Sequence, residues 1–127
     1  MQWGILLAVA LGGAIGSVAR YLFAAAIQPP GNLFNWGILW VNVIGGFVMG
    51  LIVEAGALKL NLSPEIRAFL TVGILGGFTT FSTFSLDSVL LLQRGAYAAA
   101  AGYIGGSVIL SILALFAGLY LVRAIYA

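Results

Sequence analysis

The sequence predicts an all-α integral membrane protein with four transmembrane helices, the third of them broken. Two observations predict this class. The 127 residues are 63% hydrophobic and only 6% charged, with a mean hydropathy of +1.18, whereas about a quarter of the residues of a soluble domain are charged. The apolar residues also form four segments that each reach the roughly 20 residues needed to cross a bilayer. The bilayer is therefore the expected solvent for most of the chain.

The first two spans are predicted at about residues 3–27 and 36–58. The first ends at residues 28–32, which read Gln-Pro-Pro-Gly-Asn, because adjacent prolines cannot continue a helix. Ser63 and Pro64, in the polar loop after the second span, are typical of an N-cap and a first helical residue. The next helix is therefore expected to start there.

The third and fourth spans are predicted at about residues 66–93 and 96–122. Inside the third span, Gly76 and Gly77 are followed by threonines and serines whose hydroxyls can bond to the backbone, and this combination predicts a broken helix. No soluble domain or long linker remains between the spans. Residues 1–127 are thus predicted to form a single four-helix transmembrane domain.

The composition excludes several functional classes. The chain has no histidine and no cysteine, which removes disulfides, thiolate chemistry, imidazole catalysis and the usual transition-metal sites. The net charge of +2 is small and scattered, unlike the basic patch of a nucleic-acid-binding protein. Since no catalytic constellation is present either, the chain is predicted not to be an enzyme.

Lysines and arginines near the span ends, which usually set the orientation of a membrane protein, are divided almost equally. The side that carries both termini holds Lys59, Arg67 and Arg123. The other side holds Arg94 and, where it reaches the surface, Arg20. So small a bias permits insertion in both orientations and hence an antiparallel dimer of identical subunits. On these residues alone, a single orientation fixed by the insertion machinery remains the alternative.

Closely spaced glycines predict a tightly packed bundle. Each span contains one Gly-x-x-x-Gly pair, namely Gly12–Gly16, Gly46–Gly50, Gly73–Gly77 and Gly102–Gly106. Such pairs let helix backbones approach closely, and some of these contacts are expected inside one subunit. Four helices alone enclose little room, so any pore is expected to require a partner chain.

Polar side chains inside the spans are candidates for function, because an unpaired polar group is costly in hydrocarbon. Asn42 offers two amide donors and one acceptor; it suits either a helix–helix hydrogen bond or a ligand contact. Tyr103, Ser107 and Ser111 recur every four residues, which places three hydroxyls on one face of the fourth span. A single serine in a span usually bonds to its own helix. Three hydroxyls on one helix face instead indicate a water-lined path.

Aromatic and hydroxyl side chains alternate after the predicted break. Phe81 and Phe84 are three residues apart and share a helix face, and the residues between and around them carry hydroxyls, among them Thr83. An aromatic ring has a negative face and a positive edge. Ring edges combined with hydroxyl and amide donors suit a weakly held anion, although an isolated phenylalanine in a span usually packs or faces lipid.

Two charged residues lie inside or near the predicted spans. Asp87 is a candidate proton or cation site, or a residue at the aqueous end of the third span. Arg20 lies one to two turns inside the first span, where it snorkels, pairs or draws anions to a vestibule. Since the middles of the other three spans hold no carboxylate, passive anion conduction fits better than a small four-span proton-coupled exporter of the drug-resistance type. That exporter is the rival interpretation, with Asp87 as its candidate carboxylate.

Three segments stand out as motifs. They are residues 16–20, Gly-Ser-Val-Ala-Arg; residues 37–42, Gly-Ile-Leu-Trp-Val-Asn; and residues 73–85, Gly-Ile-Leu-Gly-Gly-Phe-Thr-Thr-Phe-Ser-Thr-Phe-Ser. These motifs resemble the fluoride channel family known as Fluc or CrcB, and the resemblance extends over essentially the whole chain. It implies a fluoride-selective channel in the plasma or inner membrane of a prokaryote, through which cytoplasmic fluoride leaks out and its toxicity is relieved.

The resemblance also implies an assembly and a set of site residues. The assembly is an antiparallel, dual-topology homodimer with two narrow fluoride pathways and a structural sodium ion at its centre. Carried onto this chain, backbone carbonyls of Gly76 and Thr79 from each subunit hold the sodium, and Arg20 belongs to the vestibule. The implied fluoride pathway consists of Asn42, Phe81, Thr83, Phe84, Tyr103, Ser107 and Ser111.

Two residues depart from the family pattern. Ile38 stands where the second-span motif usually has threonine, which removes one hydroxyl from the implied path near the start of the second span. Asp87 stands where the family often has glutamate, one methylene longer. Neither departure touches the phenylalanines, the asparagine or the glycines, so both concern the outer part of the implied pathway.

Overall fold

The computed structural model describes residues 2–126 as four long helical spans joined by short loops. All four are long and apolar enough to cross a membrane, which confirms the predicted all-α class with four membrane-spanning helices. The fourth continues beyond its predicted end. The spans are α1 (Trp3–Ile27), α2 (Trp36–Leu58), the third span (Pro64–Gln93) and α6 (Tyr97–Tyr126).

The third span is built from several helical pieces. They are α3 (Pro64–Arg67), a π-helix (Ala68–Leu75), α4 (Gly76–Phe78) and α5 (Phe81–Gln93). The Ser63 hydroxyl accepts a hydrogen bond from the Ile66 N–H at 3.2 Å, and Pro64 is the first helical residue, which confirms the predicted cap. No sequence motif signals the π-helix, in which hydrogen bonds join residues five apart instead of four.

The break in the third span lies at Thr79 and Thr80, not at Gly76 and Gly77. Thr79 has a ψ of 157°, and Thr80 has φ −151° and ψ 123°, so both are extended while the glycines remain helical. Glycine is required at 77 for packing, because a Cβ there would lie 2.7 Å from the carbonyl oxygen of Gly13 in α1. Gly77 therefore serves close contact with α1, an added Cβ on Gly76 would meet only the Thr71 carbonyl oxygen at 3.6 Å, and the threonines change the direction of the chain.

Close glycine contacts join the spans in two places. A Cβ on Gly12 of α1 would lie 2.9 Å from the Cα of Gly73 in the third span. In the same half of the bundle, Gly50 of α2 lies against Gly118 of α6, with 3.2 Å between an added Cβ on Gly50 and the Gly118 Cα. The Gly102–Gly106 pair differs, since the nearest atoms to an added Cβ there are 3.9 Å away or more.

The buried core joins α2, α5 and α6. Tyr103 and Leu91 are fully buried, and Leu39 and Phe84 pack with them. Ile38 belongs to the same cluster. At this position, where the resemblance implies a threonine, the chain thus has an apolar side chain that packs in the core. This core holds α5 against the other two helices and fixes the residues that follow the break.

An ion pair joins α2 and α6 near their C-terminal ends. Arg123 Nε lies 3.3 Å from Glu54 Oε1, and Glu54 is only 9% exposed. The Arg123 guanidinium also lies over the Tyr120 ring, 5.5 Å from its centroid. These charges support the helix ends and contact neither the break nor the residues around it.

Candidate functional site, a cleft beside the helix break

Asn42 holds the extended backbone of the break. Its Oδ1 accepts from the Thr80 N–H at 2.9 Å, and its Nδ2 donates to the Thr80 carbonyl at 3.1 Å. The Thr80 hydroxyl in turn accepts from the Thr83 N–H at 3.2 Å and caps α5. Asn42 thus makes the expected contact between spans, and the second N–H of its amide is left for another acceptor.

The break removes the usual helical donors from two carbonyl groups. In a continuous helix the Gly76 carbonyl accepts from the Thr80 N–H and the Thr79 carbonyl from the Thr83 N–H. Here both N–H groups donate to side chains instead. Arg20 Nη1 lies 3.3 Å from the Thr79 carbonyl oxygen, which has two acceptor sites. Arg20 therefore lies beside a predicted sodium ligand, and its predicted vestibule role stays a prediction.

A cleft of about 410 Å³ opens beside the break, between α2, α5 and α6. Its walls include Asn42, Phe81, Phe84, Ser107 and Ser111, and among residues 2–126 none that lines it is charged. The Phe81 side is open, since this residue is 78% exposed. One chain therefore forms the cleft without enclosing it.

Ser107 and Ser111 present hydroxyls that lack a protein hydrogen-bond partner. Both oxygen atoms are buried, and no donor or acceptor from the described residues reaches them. Ser85 and Ser88 behave differently, because they donate to carbonyls four residues earlier in α5, at 2.9 and 2.8 Å. Buried hydroxyls without a partner are uncommon. Those of Ser107 and Ser111 belong to residues that line the cleft, and they have no partner among the described residues.

The two phenylalanine rings form a wall of the cleft. The centroids of Phe81 and Phe84 are 5.5 Å apart with an interplanar angle of 48°. Phe84 is 9% exposed and packs on the Tyr103 ring at 5.5 Å. Ring edges are weakly positive. With the Ser107 hydroxyl and the Asn42 amide in the same cleft, they give a set of neutral, weak donors suited to a small anion.

Two predicted pathway hydroxyls are engaged outside the cleft. Tyr103 is fully buried, and its hydroxyl donates to Asp87 Oδ2 at 2.9 Å. The Thr83 hydroxyl accepts from that of Thr80 at 3.2 Å, inside the break. Neither Tyr103 nor Thr83 lines the cleft. The structure therefore brings only the two serines of the three-hydroxyl stripe into it.

A second, smaller cavity of about 180 Å³ lies at the far end of α5. Asp87 Oδ2 accepts there from Asn35 Nδ2 at 2.9 Å, in addition to the Tyr103 hydroxyl. One carboxylate thus connects α2, α5 and α6. The polar and charged residues of the lining are Gln28, Asn32, Asn35, Asp87 and Arg94.

The sequence predicts a candidate site role for Asp87, only a contribution to membrane orientation for Arg94, and no role for Asn35. Asn35 lies 52 positions from Asp87 and accepts from the Ile38 N–H at 3.0 Å as the N-cap of α2. An asparagine immediately before an apolar run is a signal of a helix start, so its position as an N-cap could be predicted from the sequence. Its contact with Asp87 depends on how α2 and α5 pack.

Comparison with known proteins places the chain in a family. The family model described as CrcB-like protein, Camphor Resistance (CrcB), matches residues 7–119. The chain belongs to the CrcB family. This membership confirms the resemblance predicted from the three motifs.

Several relatives match this CrcB-family chain over nearly its whole length. The fluoride-specific ion channel FluC 1 of Nitrobacter hamburgensis is 49% identical over 126 residues, which are 98% of this chain and 100% of the relative. The fluoride-specific ion channel FluC of Chelativorans sp. is 56% identical over 121 residues, 94% of this chain and 97% of the relative. That of Rhodospirillum centenum is 51% identical over 124 residues, 97% and 98% of the two chains.

The family also bears on the class and location of the protein. Its relatives are named as ion channels and not as enzymes, which confirms the prediction that the chain is not an enzyme. Four candidate membrane spans and membership of this family make the chain a multi-pass protein of a bacterial membrane.

Proposed function

We propose that this CrcB-family chain forms a fluoride-selective ion channel through which fluoride leaves the cytoplasm passively, protecting the cell from fluoride toxicity. The observation that carries the proposal is the pair of buried, unpartnered hydroxyls of Ser107 and Ser111 in an uncharged cleft walled by Phe81 and Phe84. The relatives named fluoride-specific ion channels support fluoride as the ion.

Neutral donors suit the passage of a small, strongly hydrated anion. Conduction requires binding that is favourable enough to replace water and weak enough to release the ion. Ser107 and Ser111 are one turn apart, about 6 Å along α6 at 1.5 Å per residue, so they offer successive contacts. A lysine or arginine in the cleft would hold the anion more strongly.

The functional unit we propose is an antiparallel, dual-topology homodimer with two fluoride pathways. The open side of the cleft at Phe81 supports it, because a second copy would supply the missing wall. The nearly equal division of lysines and arginines between the two membrane sides supports insertion in both orientations. Two copies related by a two-fold axis give two equivalent clefts.

A structural sodium ion at the dimer centre is the proposed bound cation. The Gly76 carbonyl fits this role because the break removes its helical donor, and the Thr79 carbonyl, which accepts from Arg20, keeps a second acceptor site. Carbonyl oxygens replace the hydration shell of a small cation. Among residues 2–126 no group of three His, Cys, Asp or Glu residues is placed to hold a metal. A sodium ion bound there would be shared by the carbonyls at the helix breaks of both subunits and would join the two subunits.

The exporter interpretation finds less support in the geometry. A proton-coupled exporter needs a carboxylate that meets proton and substrate in turn. The cleft lining has no carboxylate in the described part of the chain, and Asp87 Oδ2 is already bonded to Asn35 and Tyr103.

Efflux from liposomes tests the proposed function. Purified protein is reconstituted into vesicles loaded with potassium fluoride and chloride, and both anions are followed with ion-selective electrodes after valinomycin is added. We expect rapid fluoride release with chloride retained. Equal release of both ions would contradict selectivity, and a flux that follows an imposed proton gradient would favour the exporter. No flux from vesicles that are verified to contain the protein would indicate a structural or accessory subunit that conducts no ion itself.

A further inference from the structure

Asp87 accepts the hydrogen bonds that join α5 to its neighbouring helices. Because the chain is extended at Thr79 and Thr80, the helical pieces before the break do not set the direction of α5. In the described part of the chain, the side-chain hydrogen bonds between α5 and other spans run from Asn35 Nδ2 and the Tyr103 hydroxyl to Asp87 Oδ2, both at 2.9 Å. One carboxylate oxygen therefore holds α5 to the start of α2 and to α6.

Phe84 connects this carboxylate to the cleft. It precedes Asp87 by three residues, shares its face of α5 and forms a wall of the cleft. The Tyr103 ring, which does not line the cleft, packs on Phe84 with centroids 5.5 Å apart and an interplanar angle of 32°. The Phe34 ring lies edge-on to Tyr103 at 5.1 Å. The hydroxyl bond to Asp87 thus fixes the ring against which Phe84 rests.

We propose that Asp87 and Asn35 are positioning residues of the ion pathway, which set the orientation of α5 and, through the Tyr103 ring, hold Phe84 at the wall of the cleft. The proposal rests on the proposed function, because it takes the cleft to be the fluoride pathway. Neither Asp87 nor Asn35 lines the cleft, so neither contacts the conducted ion. A wall that selects an ion needs its rings held by packing and by supporting hydrogen bonds.

Two consequences distinguish this role from direct contact with the ion. Asp87 acts as a hydrogen-bond acceptor, so its negative charge is not required. Tyr103 serves the pathway through its ring, because its hydroxyl is already donated to Asp87. Replacing the acceptor and replacing the charge should therefore have different effects.

Variants at two positions separate the acceptor, the charge and the ring. Asp87→Asn removes the charge and keeps an amide oxygen that can accept from Asn35 and Tyr103. Asp87→Leu removes the acceptor as well, with a side chain of similar size. Tyr103→Phe removes only the hydroxyl and keeps the ring beside Phe84.

The unit conductance of single channels that carry fluoride in a planar bilayer tests the proposal. It is measured on folded channels alone, so a smaller folded fraction does not lower it. We expect Asp87→Leu to conduct about tenfold less than the unmodified protein, since small displacements of a positioned group are costly, and Asp87→Asn to stay within about twofold. Tyr103→Phe should conduct about threefold less. Adding it to Asp87→Leu should cause no further loss, because both changes break the same hydrogen bond.

Two further variants complete the test. Asn35→Ser keeps a good N-cap residue for α2 and removes the amide that donates to Asp87; its conductance is expected to fall about threefold. Tyr97→Phe is the matched control for Tyr103→Phe, since it removes the same hydroxyl from an exposed tyrosine of α6 that lines neither the cleft nor the small cavity. Its conductance is expected to be unchanged.

The proposal is overturned if Asp87→Asn conducts as poorly as Asp87→Leu, because the charge and not the acceptor would then matter. Equal conductance of Tyr103→Phe and Tyr97→Phe would overturn it as well, and this comparison still decides if Asp87→Leu does not fold. Failure of the proposed function looks different, since the unmodified protein would then carry no fluoride current.

Discussion

Ser107 and Ser111 differ from the other hydroxyl residues of the spans in what they bond to. A serine in a membrane helix ordinarily donates to its own backbone, as Ser88 does at 2.8 Å. An unpartnered buried hydroxyl costs about 1 to 3 kcal/mol, so two of them in one cleft are a persistent cost to the fold. Hydrogen bonds from these hydroxyls to the proposed anion or to water in the cleft would offset this cost.

Replacing both serines should therefore separate conduction from stability. Ser107→Ala with Ser111→Ala removes no protein hydrogen bond and relieves the cost of two unpartnered hydroxyls, so in detergent the variant should be more stable to thermal unfolding, by up to about 1 to 3 kcal/mol for each hydroxyl. A hydrogen bond to a charged group is worth about 1.5 to 3 kcal/mol, so single-channel fluoride conductance should fall about tenfold or more. Ser88→Ala is the control, with conductance kept; unchanged conductance in the double variant would remove the serines from the pathway.

Asn42 shows how far single residues could be predicted from the sequence. Its position inside a span marked it as paired or functional, and the structure gives its partner as Thr80, 38 positions away. That partner was not predictable, because pairing between spans depends on the rotation of both helices. The same holds for Tyr103, whose spacing matched the serines but whose hydroxyl bonds to Asp87.

At the scale of elements, the third span combines a π-helix, a break and a capped α-helix. The sequence predicted an interruption, since glycines next to hydroxyl residues weaken a helix. It misplaced the break by three residues, because Gly77 is needed for contact with α1 and Asn42 bonds to the extended backbone of Thr80. The π-helix at Ala68–Leu75 was unpredicted: apolar helix formers do not distinguish the two helical patterns.

A methyl group at Gly16 should disturb the contact between α1 and the third span. A Cβ there would lie 2.9 Å from the Phe78 backbone nitrogen and still closer to the Ile74 carbonyl, and overpacking costs about 1 to 3 kcal/mol. Gly16→Ala should unfold at a correspondingly lower temperature in detergent. Gly13→Ala is the matched control, since its Cβ meets no atom within 4 Å. Equal melting temperatures for the two variants would show that the contact at Gly16 does not limit the stability of the protein.

At the scale of the whole molecule, composition predicted the class and the number of spans, and helix packing supplied the rest. Apolar residues cover the spans on all sides, so hydrophobicity does not indicate which helices are neighbours. In the structure α2 packs mainly on α6, and α1 packs on the first half of the third span. The cleft that results is left open on one side, which explains why a dimer is the proposed functional unit.

The reversal potential of the current through a planar bilayer tests passive, fluoride-selective conduction most directly. A tenfold fluoride gradient is set across the membrane with equal chloride on both sides. The predicted reversal potential is about 59 mV in magnitude, the equilibrium value for a univalent ion at 25 °C, and it should stay there when a pH gradient is added. A reversal near zero would mean that chloride also passes, and a shift that follows the pH gradient would mean proton coupling; either result would contradict a fluoride channel.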